Sequence, residues 1–431
     1  MEKKKISRRD WVLIWILAFC GQMCWAVENN TFATYALAKT GSPDTVTWMV
    51  ALSAATTTIA TFISGTLGDR LGRRRRIIAI GFILWGIFTI AFGLADFIPQ
   101  NDLSFIAVYL VAMDAVMSFC GSIGYSGGVN PWTTDISDES NRGSVSAAIS
   151  SMVIIANIVV LGLQGFIVET FGFLPMFAFM GAFVLLIGVL CFLVLRDSPD
   201  LKPSVTHKSF WAQVLAAFNF KETFRNKALL WMLLTLCVYT IGFNIYMSYA
   251  TSYLWIYFPV YSGIEISKGS ASIIQGIGML LGVVLSVFFI KPINRGQCSR
   301  MTLVSVIVSV FSLIMLGFSK NVAMLYVFIS LSSFGYVLCL LATTAWFKNL
   351  CPEDRRGQLE GIKQIFYNLV PMIIGPVIAA TIIKKINFVI NVDGVDVTSP
   401  TNVIFMVAGI FTVLTLIPLF TAMKYEKQSQ A

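Results

Sequence analysis

A chain of 431 residues in which 57% are hydrophobic and only 12% charged is not built like a soluble protein. Soluble domains carry roughly 25% charged residues, and about half their chain already fills the core. A mean hydropathy of +0.78 therefore leaves apolar surface for lipid to cover. The net charge of +9 gives nucleic acid no role once its distribution along the chain is considered.

A helix needs about 20 apolar residues to cross a bilayer. Such runs recur twelve times, over residues 11–38, 44–66, 77–98, 103–130, 144–168, 172–195, 228–258, 267–290, 300–319, 322–347, 359–383 and 401–423. The longest polar interval, 196–227, opens "RDSPDLKPSVTHKS" after the sixth run. The expected fold class is thus an all-α membrane protein of twelve transmembrane helices. It divides into six-helix halves, 1–195 and 228–431, joined by a cytoplasmic linker, 196–227. With both termini cytoplasmic, 25 of the 31 Lys and Arg fall on the inner side. Lys39, Lys268, Lys320, Lys384 and Lys385 fall outside, and Lys363 lies within a span. That asymmetry is the positive-inside rule; it accounts for the net charge and places the chain in a cell (inner) membrane. The opening "MEKKKISRRDWVLIWILAFCG" has the outline of a signal peptide, but its apolar run continues too far and eleven more follow. The eight cysteines show neither metal-ligand spacing nor a disulfide framework, and no metal or cofactor is expected.

The first span holds Glu28 within "WAVENNTF", with Trp25 one turn back. The fourth, "FIAVYLVAMDAVMSFCGSIGY", holds a lone Asp114. Both lie about 10 residues from the outer end of their spans, so roughly 15 Å deep at 1.5 Å per residue. Ser118, Gly121, Ser122 and Tyr125 follow Asp114 along one helical face. A charge at the bilayer centre costs several kcal/mol and marks a cavity or a proton relay. The bland alternative for each carboxyl is a structural hydrogen bond to a neighbouring helix. The only histidine, His207, sits in the linker and cannot carry a proton at midplane.

The seventh span, "TIGFNIYMSYATSYLWIYFP", presents two stripes. One is Asn244, Ser248, Thr251 and Trp255; the other is Tyr246, Tyr249, Tyr253 and Tyr257. Rings beside amides and hydroxyls suit a sugar or another amphipathic solute. Trp255 and Tyr257, at the span end, read as interface anchors, which leaves Asn244 and Tyr249. In the eleventh span Lys363 neighbours Gln364, Tyr367 and Asn368. Its place near the cytoplasmic end reads as snorkelling, with a substrate or gating role as the alternative.

The halves repeat weakly. "DESNRGSVSAAISS" and "PEDRRGQLEGIKQI" align Glu139 with Glu353 and Arg142-Gly143 with Arg356-Gly357 at an offset of 214 residues. "GTLGDRLGRRRR" has the counterpart "KPINRGQCSR", basic but without the aspartate. Two similar halves are a common plan for carriers, with the solute at midplane. Residues 65–74, "GTLGDRLGRR", match the G-x-L-x-D-R-x-G-R-R signature at every fixed position, so the chain resembles the major facilitator superfamily. That resemblance implies a cytoplasmic latch of Asp69, Arg70 and Arg73, with Arg142, Glu353 and Arg356 of the repeated loops. An aspartate at a helix end can pair with arginines in one state and release them in another. Arg75 and Arg76 read as topology anchors.

Three stretches further resemble the glycoside–pentoside–hexuronide symporters and the sucrose:proton carriers. They are "GQMCWAVENNTFATYAL", "DRLGRRRRIIAIGFILWG" and "LVAMDAVMSFCGSIGYSG". The likeness implies that Asp114 binds sugar and couples the cation. Where sodium-coupled relatives carry two aspartates in the second span, this chain has Ser53 and Thr57. The arginine typical of their fifth span is missing from 144–168, which offers Asn157 and Gln164 instead.

The expected function is secondary active transport: a proton-coupled symporter of a neutral sugar-like or glycoside solute, working by alternating access as a monomer. The solute is assigned to Asp114, Glu28, Trp25, Ser118, Tyr125, Asn157, Asn244, Tyr249 and Asn368, and the proton to Asp114 and Glu28. An exporter of amphipathic or cationic compounds is the main rival. An organic acid carrier would want a cation at midplane, and a non-transporting receptor would need no buried carboxyl pair. An enzyme would need a phosphate loop, metal cluster or hydroxyl–histidine pair, none of which the sequence offers.

Overall fold

The computed structural model describes residues 6–138, 141–198, 201, 203, 225–351 and 356–430. Twelve of the described helices are long and apolar enough to cross a membrane. They are α1 (Arg8–Thr40), α2 (Pro43–Leu71), α3 (Arg75–Phe97), α4 (Leu103–Asp135), α5 (Ser144–Phe171), α6 (Phe173–Val194), α7 (Lys227–Ser262), α8 (Lys268–Val287), α9 (Cys298–Gly317), α10 (Val322–Leu350), α11 (Gly361–Ile386) and α12 (Val403–Gln428). Each falls on one of the runs expected from the sequence. Large apolar side chains such as Val287, Leu193 and Trp48 remain exposed on these helices, as lipid-facing positions must.

Polar caps set several starts. Ser7 accepts the Asp10 N–H at 3.1 Å, Asp102 the Phe105 N–H at 3.0 Å, Asn226 the Leu229 N–H at 3.1 Å and Asn321 the Met324 N–H at 2.8 Å. Four of the described helices are interrupted by a five-residue π-helical turn: Glu28–Phe32 in α1, Tyr125–Val129 in α4, Tyr253–Tyr257 in α7 and Ile365–Leu369 in α11. Such turns recur at functional sites because they hold an extra residue and re-aim the side chains around it.

Contacts divide the chain into two compact units, Met1–Thr40 with Leu52–Ala216, and Gly41–Ala51 with Ala217–Ala431. In the first, α3 lies along α4 and α6, and α1 along α5. In the second, α9 lies along α10 and α12, and α7 along α11, the same pairs six helices later. α3 and α6 meet through small residues: a Cβ on Gly86 would run into the Gly181 carbonyl, the close approach that holds helices together where lipid is the solvent.

The second unit holds an element the sequence reading did not foresee. Strands β1 (Val389–Val392) and β2 (Val395–Thr398) form an antiparallel hairpin. Its turn is Asp393-Gly394, with φ of 51° and 87°, the two-residue geometry that Asp-Gly favours. The first turns of α2 pack with this unit. Thr398 N–H donates to Gly41 O at 2.9 Å, Thr47 Oγ1 donates to Pro376 O at 3.1 Å, and Lys384 pairs with Asp44 at 2.9 Å. Gly41 has a φ of +68°, and a Cβ there would strike the Asp396 carbonyl.

Candidate functional site

The two span carboxyls anchor the site, inside the first unit. Glu28 opens the π-helical turn of α1 and is buried. Its Oε1 accepts from Ser53 Oγ of α2 at 2.5 Å and from Ser118 Oγ of α4 at 2.8 Å. The two hydroxyls stand 2.7 Å apart. Asp114, only 1% exposed, precedes Ser118 by one turn of α4 and lies within electrostatic reach of Glu28. Asp114 Oδ1 and Glu28 Oε2 are enclosed without a hydrogen-bond partner. Among the described residues, no Lys or Arg pairs with either carboxyl.

This geometry has a definite chemistry. An ionised carboxyl enclosed without a cation is expensive, so the pair calls for a proton or for a ligand that hydrogen-bonds it. A serine hydroxyl donates to a carboxylate and accepts from a carboxylic acid equally well. Ser53 and Ser118 can therefore satisfy Glu28 Oε1 with or without a proton on the carboxyl. More unpartnered polar atoms are buried in the same unit: Thr57 Oγ1, Ser122 Oγ and Trp85 Nε1. Trp85 tilts against Trp25 with centroids 5.1 Å apart.

Of the other residues expected at the solute, Tyr125 opens the π-helical turn of α4 and its Oη accepts from Gln22 Nε2 at 3.1 Å. Gln164 Oε1 accepts from Thr31 Oγ1 at 3.0 Å, tying α5 to α1. Asn157 donates to Val153 O of its own helix at 2.8 Å and does not join the Glu28 cluster. Asn244, Tyr249 and Asn368 belong to the second unit. Asn244 donates to Thr240 O and Asn368 to Gln364 Oε1, each at 2.8 Å. Tyr249 departs from the expected solute-facing ring: it is fully buried, and its hydroxyl donates to Pro43 O at 2.9 Å. Lys363 departs too. It is buried rather than reaching for water, with Nζ 5.0 Å from the Phe347 ring centroid.

The turn between α2 and α3 turns on a residue outside the expected set. Asp69 pairs with Arg74, while Arg73 is exposed. Arg74, only 4% exposed, also reaches Asp135 with Nε at 3.1 Å. Gly72, with φ +60°, turns the chain so that Arg74 faces inward. Asp197 caps the start of α3, accepting the N–H groups of Arg74 at 2.6 Å and Arg75 at 2.8 Å. Arg75, expected as a plain topology anchor, donates to Phe192 O. Its guanidinium lies 5.5 Å from the Phe192 ring centroid. Arg70 is half-buried. Arg142 and Arg356 begin helices, but their side chains, and Glu139 and Glu353 entirely, lie outside the described residues.

Comparison with known proteins adds the following. A family model described as Major Facilitator Superfamily matches residues 14–339 and 254–431. Multidrug resistance protein 1 of Bacillus subtilis (strain 168) is 33% identical over 162 residues, so the match spans 37% of this chain and only 37% of that relative's length. Three solved structures share the fold. A mutant of the nucleoside transporter NupG has a TM-score of 0.71 at 13% identity, covering 96% of this chain and 99% of that one. A bacterial homologue of the human lysosomal transporter Spinster, inward-facing and unoccupied, has 0.68 at 15%, covering 98% and 99%. A D-xylose-proton symporter has 0.68 at 14%, covering 95% and 97%. At these identities the likeness is one of fold alone.

Proposed function

Because this chain belongs to the Major Facilitator Superfamily, and is therefore a multi-pass secondary transporter, we propose that it is a proton-coupled symporter of a neutral, sugar-like or glycoside solute. The observation that carries this reading is the enclosed pair Glu28 and Asp114, each with an unpartnered oxygen and neither with a cationic partner among the described residues. A proton entering from one side relieves the enclosure of a bare charge. The solute's hydroxyls then supply the hydrogen bonds that Asp114 lacks, and release of both on the other side completes an alternating-access cycle. The Asp69–Arg74–Asp135 network supports a cytoplasmic latch that forms and breaks during this cycle. The setting is a cell membrane with both termini cytoplasmic, the chain acting as a monomer. Ser53 and Thr57, hydroxyls in place of the second-span aspartates of sodium-coupled carriers, favour the proton over sodium.

A second reading is export of amphipathic or cationic compounds. It is favoured by the 162-residue match to Multidrug resistance protein 1, since a cationic solute would neutralise the same carboxyls. Uptake into proteoliposomes separates the readings. An imposed pH gradient is expected to drive accumulation that glycosides inhibit and tetraphenylphosphonium does not. Sodium-driven accumulation at fixed pH would overturn the proton, and inhibition by the lipophilic cation alone would overturn the neutral solute.

A further inference from the structure

Within the second unit, α7, α8, α9, α10 and α12 line a cavity, whereas the carboxyl pair belongs to the other compact unit. One wall is flat: Phe243 stacks on Tyr336 with centroids 3.8 Å apart and planes within 10°. Tyr246 and Phe405, centroids 5.6 Å apart, add two further rings. The phenols are held in place, Tyr246 Oη with Ser332 Oγ at 3.0 Å and Tyr336 Oη with Tyr367 Oη at 3.1 Å. Gln275 supplies an amide to the lining. Thr251 Oγ1 donates to its Oε1 at 2.6 Å, which commits the acceptor end and leaves the NH2 as a donor. Among the described residues, no charged side chain lines the cavity.

We propose that this cavity binds uncharged molecules that carry a flat apolar ring beside a hydrogen-bonding polar group, the aryl glycoside class. The reasoning is chemical complementarity. Preformed aromatic walls reward a ring that stacks or meets them edge-on. A few fixed polar groups in an apolar lining set orientation and specificity. An ionised ligand would be enclosed with no counter-charge and would bind poorly. The inference goes beyond the coupling reading and is tested by binding alone.

The test uses the purified full-length chain in lipid nanodiscs and three probes: phenyl β-D-glucoside, methyl β-D-glucoside without the ring, and anionic 4-carboxyphenyl β-D-glucoside. A ligand that binds the folded state raises the melting temperature, and isothermal titration gives its affinity. Phenyl glucoside is expected to bind about tenfold or more tightly than the other two, the equivalent of one well-made aromatic contact. Ala250, which also lines the cavity, offers a way to fill it: Ala250→Phe is expected to abolish the phenyl glucoside response while the chain remains monodisperse. If that variant does not fold, Ser333→Leu fills the same space, and Gln275→Leu is expected to weaken binding through the lost donor. Coupling is read separately, as pH-driven accumulation in proteoliposomes of the folded Ala250→Phe chain, so that failure of coupling and failure of this site are told apart. Equal responses to all three glucosides, no response to any, or full response in a folded Ala250→Phe would each overturn the proposal.

Discussion

The two halves use the same backbone device with opposite chemistry. α1 and α7 are counterpart helices, and each is broken by a five-residue π-helical turn. In α1 the turn opens on Glu28, in α7 on Tyr253. Each of these side chains buries a polar atom with no partner, but a carboxyl ionises far more readily than a phenol. The cytoplasmic turns differ in the same sense. Between α2 and α3, a buried Arg74 pairs with two aspartates and a third caps the helix. Between α8 and α9, Arg295 stands exposed in a stretch with no aspartate. The difference teaches that pseudo-symmetry here extends to the helices and stops at ionisable chemistry, which concentrates in the first half.

Four tests bear on that contrast. The largest effect is expected from Asp114→Asn, which should reduce pH-driven accumulation in proteoliposomes to background while melting temperature holds or rises, since an amide keeps the shape and removes a buried charge. Full coupled transport in this variant would remove the asymmetry of function. Next comes the pair Glu28→Gln and Tyr253→Phe at the matching turns. The first is expected to uncouple transport. The second should leave coupling intact and shift stability by no more than about 1 kcal/mol in either direction, because the lost hydroxyl had no partner. Equal loss in both would show that the turn itself, and not its ionisable side chain, is what matters. Third, Arg74→Ala is expected to destabilise the chain by about 2 kcal/mol, through the lost charged hydrogen bonds to a part-buried Asp135 and an exposed Asp69, whereas Arg73→Ala and Arg295→Ala should stay within about 0.5 kcal/mol of the parent as surface changes. Thermal melts rank the three, and a ranking led by Arg73 would restore the expected latch. The smallest effect is Lys384→Ala, expected to cost under about 1 kcal/mol because the pair with Asp44 is exposed on both sides. A larger loss would mean that this ion pair secures the first turns of α2 more than the backbone bond to Gly41 does.

Much of the fold was legible because its determinants are local. Twelve apolar runs and the asymmetry of basic residues are all read one segment at a time. Glu28 and Asp114 stood out for the same reason, as charges in otherwise apolar runs. What the sequence concealed is long-range or angular. Ser53 meets Glu28 across 25 residues and Ser118 meets it across 90, and neither spacing has a local signature. Arg74 and Arg73 are neighbours in sequence, and only the left-handed turn at Gly72 decides which faces inward. Tyr249 shared a helical stripe with Tyr246, yet the regular helix breaks at Ser248-Tyr249, and one hydroxyl goes to Pro43 and the other to Ser332. The hairpin was a missed signal rather than a hidden one, since Asp-Gly between alternating valines is a strong local cue for such a turn.

The π-helical turn of α1 also sets how this helix can tolerate a change in length. Each residue of an α-helix advances the winding by about 100° and the axis by about 1.5 Å. A π-helical turn stores one surplus residue, so a chain shortened by one at Asn29 could wind as an uninterrupted helix, with the segments before and after it still docked on their neighbours. The same deletion a turn earlier, at Met23, would drag Trp25 and Glu28 out of phase with Ser53 and Ser118. Whether a length change is absorbed or propagated thus depends on its distance from the turn, and the residue that marks the absorbing position is the carboxylate itself.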